Sequence, residues 1–229
     1  MKFNRLENLI GSFSLEKLKK SNVLVFGLGG VGGYVVEALT RSGIGNLILV
    51  DYDKVDITNF NRQIIAVNEN IGKYKVDCFK ERIDSINEGC NVITYKLKID
   101  SNNIKDIFNT KIDFVVDAVD DVSAKVAIIN YCLEHNIDFI SSMGTGNRLD
   151  PSKLTIMTLD KTYNDPLARV MRSKFAKNTQ KKITVCASTE LPLKVKDKTV
   201  IGSNAFVPSS AGLLIASYIV RKINETKIN

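Results

Sequence analysis

A chain of 229 residues with 44% hydrophobic and 25% charged side chains can bury one substantial core, and this composition sets aside the disordered and fibrous classes. No apolar run reaches the ~18 residues of a membrane span. The start MKFNRLENLIGSF lacks a leader-type apolar core, and Ala205 to Val220 is interrupted by Pro208, Ser209, Ser210 and Gly212, so a cytoplasmic protein without membrane insertion is expected. The net charge of +7 is uneven: between 161 and 182 lie seven basic residues (Lys161, Arg169, Arg172, Lys174, Lys177, Lys181, Lys182) and one acid, Asp165. A solvated lysine-rich loop accounts for that stretch, and so does contact with a polyanion.

In chain order, Asn22 to Phe26 (NVLVF) reads as a strand ending at a glycine turn. Val31 to Ser42 carries Val35, Val36 and Leu39 at helical spacing and stops at Gly43, and Leu47 to Val50 is a second strand. A helix is predicted from Lys73 to Asn87, a strand from Asn91 to Leu97, a buried strand from Ile112 to Val116, a helix from Ser123 to His135 and a short strand from Phe139 to Ser142. Such alternation specifies a mostly parallel sheet with helices on both faces, because parallel strands need crossover connections. From Gly144 onward the pattern loosens into loops, two strands (Leu154 to Leu159, Ile183 to Cys186) and a closing helix. We therefore expect one Rossmann-like α/β domain over 1–229, with a nucleotide-binding core over 1–143 and a substrate-side extension over 144–229.

Gly27-Leu28-Gly29-Gly30-Val31-Gly32 satisfies G-x-G-x-x-G between a strand and a helix, the context in which glycines let a helix N-terminus approach phosphate oxygens. Asp51, with Asp53 beside it, ends the next strand where a carboxylate accepts hydrogen bonds from ribose. To this point a nicotinamide enzyme and an ATP user are equally served. Asn59, Arg62 and Gln63 then cluster within five residues, and Lys75 follows in GKYKV. As a set, these donors favour a triphosphate. Asp117, Asp120 and Asp121 in DAVDD sit at the carboxyl end of a central strand, where a carboxylate beside phosphates would hold Mg²⁺, although helix capping explains one of them equally well. A hydride-transfer partner is hard to find: His135 reads as a surface residue, and Tyr218 and Lys222 match Tyr-x-x-x-Lys only inside the last helix. Cys78, Cys90, Cys132 and Cys186 form no C-x-x-C pair, so buried reduced thiols are expected.

GLGGVG, the acid after LILV, NxNRQ, GKxKV and DAVDD together resemble the adenylating superfamily of ubiquitin-activating enzymes and bacterial sulfur-carrier activators. The resemblance implies that Asp51 binds ribose, that Asn59, Arg62 and Lys75 bind ATP phosphates and that Asp120 helps hold Mg²⁺. It further implies a homodimer in which Arg5 reaches the neighbouring subunit's ATP. SSMGTGNRLDP from Ser141, DPLARVMR from Asp165 and GSNAFVPSSAGLLIAS from Gly202 resemble, within it, the tRNA threonylcarbamoyladenosine dehydratases, with Thr145 where alanine is expected. That likeness implies ATP-dependent cyclisation of N6-threonylcarbamoyladenosine in tRNA, with Arg5, Arg62, Lys75 and Asp120 as catalytic residues. Gly144, Gly146, Asn147, Arg148, Arg169 and Arg172 are then the candidate substrate or tRNA contacts. Three alternatives stay open: an activator of a ubiquitin-like carrier protein, a nicotinamide-dependent oxidoreductase, and an adaptor for a sulfur-transfer protein. Whether a monovalent cation joins ATP and Mg²⁺ is likewise open at this point.

Overall fold

Along strand β1 (Asn22–Phe26), Val23 and Val25 point to one face and Leu24 and Phe26 to the other, and all four are fully buried. A strand apolar on both faces must be covered on both, and that requirement organises the molecule. The structure, a computed structural model, describes residues 2–197 and 199–224, so the end of the 1–229 domain reading lies outside the described residues. β2 (Asn46–Val50), β3 (Asn91–Tyr95), β4 (Phe114–Asp117), β5 (Phe139–Ser142), β6 (Leu154–Thr158) and β7 (Thr184–Ser188) complete one sheet with β1, in the order β3-β2-β1-β4-β5-β7-β6. Only the β6–β7 pair is antiparallel. β7 lies parallel to β5, so the segment after 144 extends the same sheet.

One face is covered by α2 (Ser12–Lys20), α3 (Gly32–Arg41), α4 (Lys75–Ile86) and α8 (Val207–Asn224), through Leu18, Val35, Phe79 and Ile215 among others. The other is covered by α5 (Val122–Glu134) and α6 (Pro166–Lys174), through Ile128, Cys132, Ala168 and Met171. α8 packs tightly on α3: a Cβ on Gly212 would stand 2.4 Å from the Val31 carbonyl oxygen, so only glycine permits this approach. Among the described residues no helix is long and apolar enough to cross a membrane.

Two regions differ from the sequence expectation. α1 (Asn4–Ile10) and α2 precede β1, where no element was expected. The basic stretch 161–182, expected as a loop, folds into α6 and a short α7 (Lys177–Gln180). The Asp165 carboxylate caps α6 by accepting from the Ala168 N–H at 2.9 Å, and Pro166 opens the first turn. Ala168 and Met171 face the core while Arg169 and Lys174 face solvent, so the charge is displayed on a helix surface.

Candidate active site

The sheet order reverses direction between β1 and β4, and the loops leaving their carboxyl ends part there to form a crevice. A cavity of about 720 Å³ occupies it, large enough for a nucleotide with room to spare. Gly27, Gly29 and Gly30 line one wall, with Gly32 opening α3 behind them. Gly27 has φ +82°, and a Cβ there would sit 2.6 Å from the Ala118 carbonyl oxygen, so the loops after β1 and β4 can close on each other only through glycine. Gly29 differs: the nearest atom to its Cβ position is Gln63 Nε2 at 3.9 Å, leaving space in front of the loop.

Asp51 follows the last residue of β2 and lines the cavity. Its Oδ2 accepts from the Leu28 N–H at 2.6 Å and its Oδ1 from the Asp53 N–H at 2.8 Å, which fixes the carboxylate against the glycine loop. Burial raises its pKa despite the nearby Lys75 ammonium and the two N–H donors. Lys75, whose side chain is 5% exposed, donates from Nζ to Asp53 Oδ2 at 2.8 Å. Asn59 is buried on a short 3-10 turn, where its Oδ1 accepts from the Asp56 N–H and closes a capping box. That turn delivers the next residues to the cavity: Arg62 donates to Thr58 O at 2.8 Å and Asn61 Oδ1 at 2.9 Å, and Gln63 is buried with Oε1 lacking a hydrogen-bond partner. A buried acceptor without a partner can receive a hydrogen bond from a ligand hydroxyl or amine.

The three carboxylates of DAVDD separate by role. Asp121 caps α5, accepting from the Ala124 N–H at 2.8 Å. Asp117 is fully buried: Lys125 Nζ donates to its Oδ2 at 3.0 Å, and Ser141 Oγ donates to the same oxygen at 2.5 Å. Lys125 also donates to Ser141 Oγ at 3.2 Å and Ser142 O at 2.7 Å, riveting β4 to β5 beneath the cavity. Nothing in the sequence reading pointed to Lys125. Asp120 alone is exposed in the cavity wall with no hydrogen-bond partner among the described residues. It can join a divalent cation whose other ligands are phosphate oxygens and water.

The far wall comes from the second half. Gly144, Thr145, Gly146 and Asn147 line the cavity, with Ile201 packed against Gly146 and Ser203 also in the lining. Asn147 holds this loop to the segment before α8: its N–H donates to Gly202 O at 2.8 Å, and its Oδ1 accepts from the Gly202 N–H at 2.7 Å. Arg148, expected as a substrate contact, is 2% exposed. Its guanidinium donates to Gly144 O at 3.2 Å, Asn164 O at 2.8 Å and Glu190 O, beside the Asp165 carboxylate. Those donors hold protein carbonyls, so Arg148, which also lines the cavity, braces the 144–148 loop. Arg172 is similarly engaged, donating to Thr162 O at 2.8 Å and to the Thr162 hydroxyl. Arg169 on α6 and Arg5 on α1 are exposed and outside the cavity wall of their own chain.

The residues of a hydride-transfer reading lie elsewhere. His135 caps α5 and stacks on Tyr131 at 4.0 Å, and Tyr218 packs its edge on Phe114, with neither residue in the cavity. All four cysteines are buried, and burial pushes the Cys186 thiol up to about 12.

A mostly parallel sheet, with a glycine loop and the Asn59, Arg62, Gln63 and Lys75 side chains lining the crevice at its switch point, defines an α/β nucleotide-binding protein. The chain belongs to the ThiF family, whose model matches residues 3–229. It is 41% identical over 235 residues to the tRNA threonylcarbamoyladenosine dehydratase of Bacillus subtilis (strain 168), covering 95% of this chain and 92% of that one. It is 38% identical over 192 residues to the Haemophilus influenzae protein of the same name, covering 81% of this chain and 74% of that one. The crystal structure of Escherichia coli tRNA N6-threonylcarbamoyladenosine dehydratase in complex with ATP matches with a TM-score of 0.92 at 30% identity, covering 97% of this chain and 93% of that one.

Proposed function

We propose that this protein is an ATP-dependent tRNA-modifying enzyme that cyclises N6-threonylcarbamoyladenosine, next to the anticodon, with net loss of water. One observation carries the reading: the ATP-type residues of the first half and the three dehydratase-type segments of the second line a single cavity. The similarity to named dehydratases along nearly the whole chain supports it.

A carboxylate resists attack because oxide is a poor leaving group. In the proposed reaction an oxygen of the substrate carboxylate attacks the α-phosphorus of ATP and pyrophosphate departs. An internal nitrogen or oxygen of the same side chain then attacks the carbonyl carbon, and AMP leaves carrying the former carboxylate oxygen. Asp51 orients the ribose. Lys75, Arg62 and the Arg5 of a second copy in a homodimer stabilise negative charge on the transferring phosphate. Mg²⁺, held by Asp120 and phosphate oxygens, would offset the same charge.

The ring closure needs no protein nucleophile, which agrees with four inert thiols. It is intramolecular, so the wall built from Gly144, Gly146 and Asn147 contributes by holding the reacting groups together. Arg169 and the lysines of α6 and α7 face the RNA backbone. On this reading the protein acts in the cytoplasm. The test is incubation with ATP, Mg²⁺ and tRNA from cells lacking the protein, followed by nucleoside mass spectrometry. A product lighter by one water is expected, and an unchanged mass removes the proposal.

A further inference from the structure

A second concavity, of about 740 Å³, adjoins the nucleotide cavity and shares Asp120 and Asp121 with it. Its floor is the outer stripe of α5: Val122, Val126, Ala127 and Asn130 follow one another at helical spacing. Ser101 and Lys174, the last residue of α6, also line it. Leu97, Lys98 and Ile99, just before Ser101, line the nucleotide cavity, so one loop edges both spaces.

Building on the RNA reading above, we infer that this groove holds the nucleotide adjacent in the RNA chain to the modified adenosine. Three features select that occupant. The groove begins where the cavity ends, and a residue held within a polymer must have its neighbour beside it. The floor is polarised: small apolar side chains offer a flat surface for one face of a base, and the Asn130 amide, which has no hydrogen-bond partner among the described residues, can both donate to and accept from a base edge. The charge is also graded. Both acids of the groove are shared with the cavity, whereas Lys174 is not, and the exposed Lys177, Lys181 and Lys182 follow it along the chain. The base therefore lies across α5 with its phosphate toward Lys174, and the RNA backbone leaves over α7.

The test uses an anticodon stem-loop RNA carrying N6-threonylcarbamoyladenosine, with ATP and Mg²⁺. Val126→Glu puts a charge on the apolar floor and is expected to lower kcat/KM for the stem-loop about tenfold, mainly through KM, with ATP affinity unchanged. Lys174→Ala is expected to reduce the slope of log affinity against log salt by about one, the signature of a lost phosphate contact. A stem-loop with 4-thiouridine next to the modified adenosine should photocrosslink within 122–130 in the wild-type protein. Wild-type kinetics and salt slope in both variants, with crosslinks elsewhere, would make the groove bare surface or a protein-contact site and overturn the inference. Lost ATP affinity in Val126→Glu would also overturn it if the 4-thiouridine crosslinks map outside 122–130. These outcomes differ from failure of the parent reading, in which the wild-type protein produces no mass change on tRNA.

Discussion

Replacing Lys125 by Met should destabilise the fold far more than its position on a solvent-flanked helix suggests. The side chain is fully buried, and its Nζ serves Asp117, Ser141 and the Ser142 carbonyl at 2.7 to 3.2 Å. Methionine keeps most of the volume, so packing changes little and the loss is electrostatic. Asp117 would keep the Ser141 hydroxyl and a long contact from the Val119 N–H at 3.3 Å, too little for a carboxylate without water. Breaking one side of a buried ion pair costs about 3–5 kcal/mol. Against a typical domain stability of about 5–15 kcal/mol, that is a large fraction. Urea unfolding should show it as a lower midpoint at unchanged slope. The double variant Asp117→Asn/Lys125→Met removes the stranded charge and should regain most of the loss. If Lys125→Met unfolds within about 1 kcal/mol of wild type, a value expected for one neutral hydrogen bond, the buried pair adds little to the β4–β5 pairing.

Two glycines should respond oppositely to alanine: Gly27→Ala drives a methyl into the Ala118 carbonyl at positive φ and should lower Tm, whereas Gly29→Ala meets only Gln63 Nε2 and should leave Tm unchanged while weakening ATP binding, both measurable by thermal melts with and without ATP. Cys186→Ala should keep kcat within about twofold, since a thiol pushed up to about 12 supplies almost no thiolate at neutral pH; loss of the cyclised product with an unchanged Tm would restore a chemical role. Burial opposes ionisation of Glu37, but hydrogen bonds from Arg82 and Arg41 outweigh it and set its folded pKa below the ordinary 4.5. The unfolded chain therefore binds the proton first, and the stability this pair contributes is present above pH 4.5 and lost as pH falls through the folded value. Glu37→Gln should cost about 2 kcal/mol at pH 7 and flatten the acid limb of stability against pH; parallel limbs would refute the assignment.

Much of this site could be read from the sequence because its signals are local. NVLVF followed by glycines fixes a strand, a turn and a helix start within one window, and β1 and β5 fall at the bounds expected for them. The helix α6 was missed although its marker was present: Asp165-Pro166 is a capping residue followed by proline in the first turn, a signal obscured by the surrounding basic residues. Lys125 and Arg148 could not have been placed this way. A lysine or arginine is normally a surface residue, and each is buried here only because carboxylates and carbonyls from segments 8 to 42 residues away converge on it. The same limit hid the sorting of Asp117, Asp120 and Asp121, which have one chemistry and three surroundings.

The support of the glycine loop by α8 bears on how the protein is made. Pro208, in the first turn of that helix, lies 3.1 Å from where a Cβ on Gly30 would stand, and Gly212 lies against Val31. A polypeptide still emerging from the ribosome can pair its early strands before residues 207–224 exist, yet its glycine loop then lacks the Pro208 and Gly212 contacts. Chains ending before residue 207 should therefore bind ATP more weakly than the whole protein does.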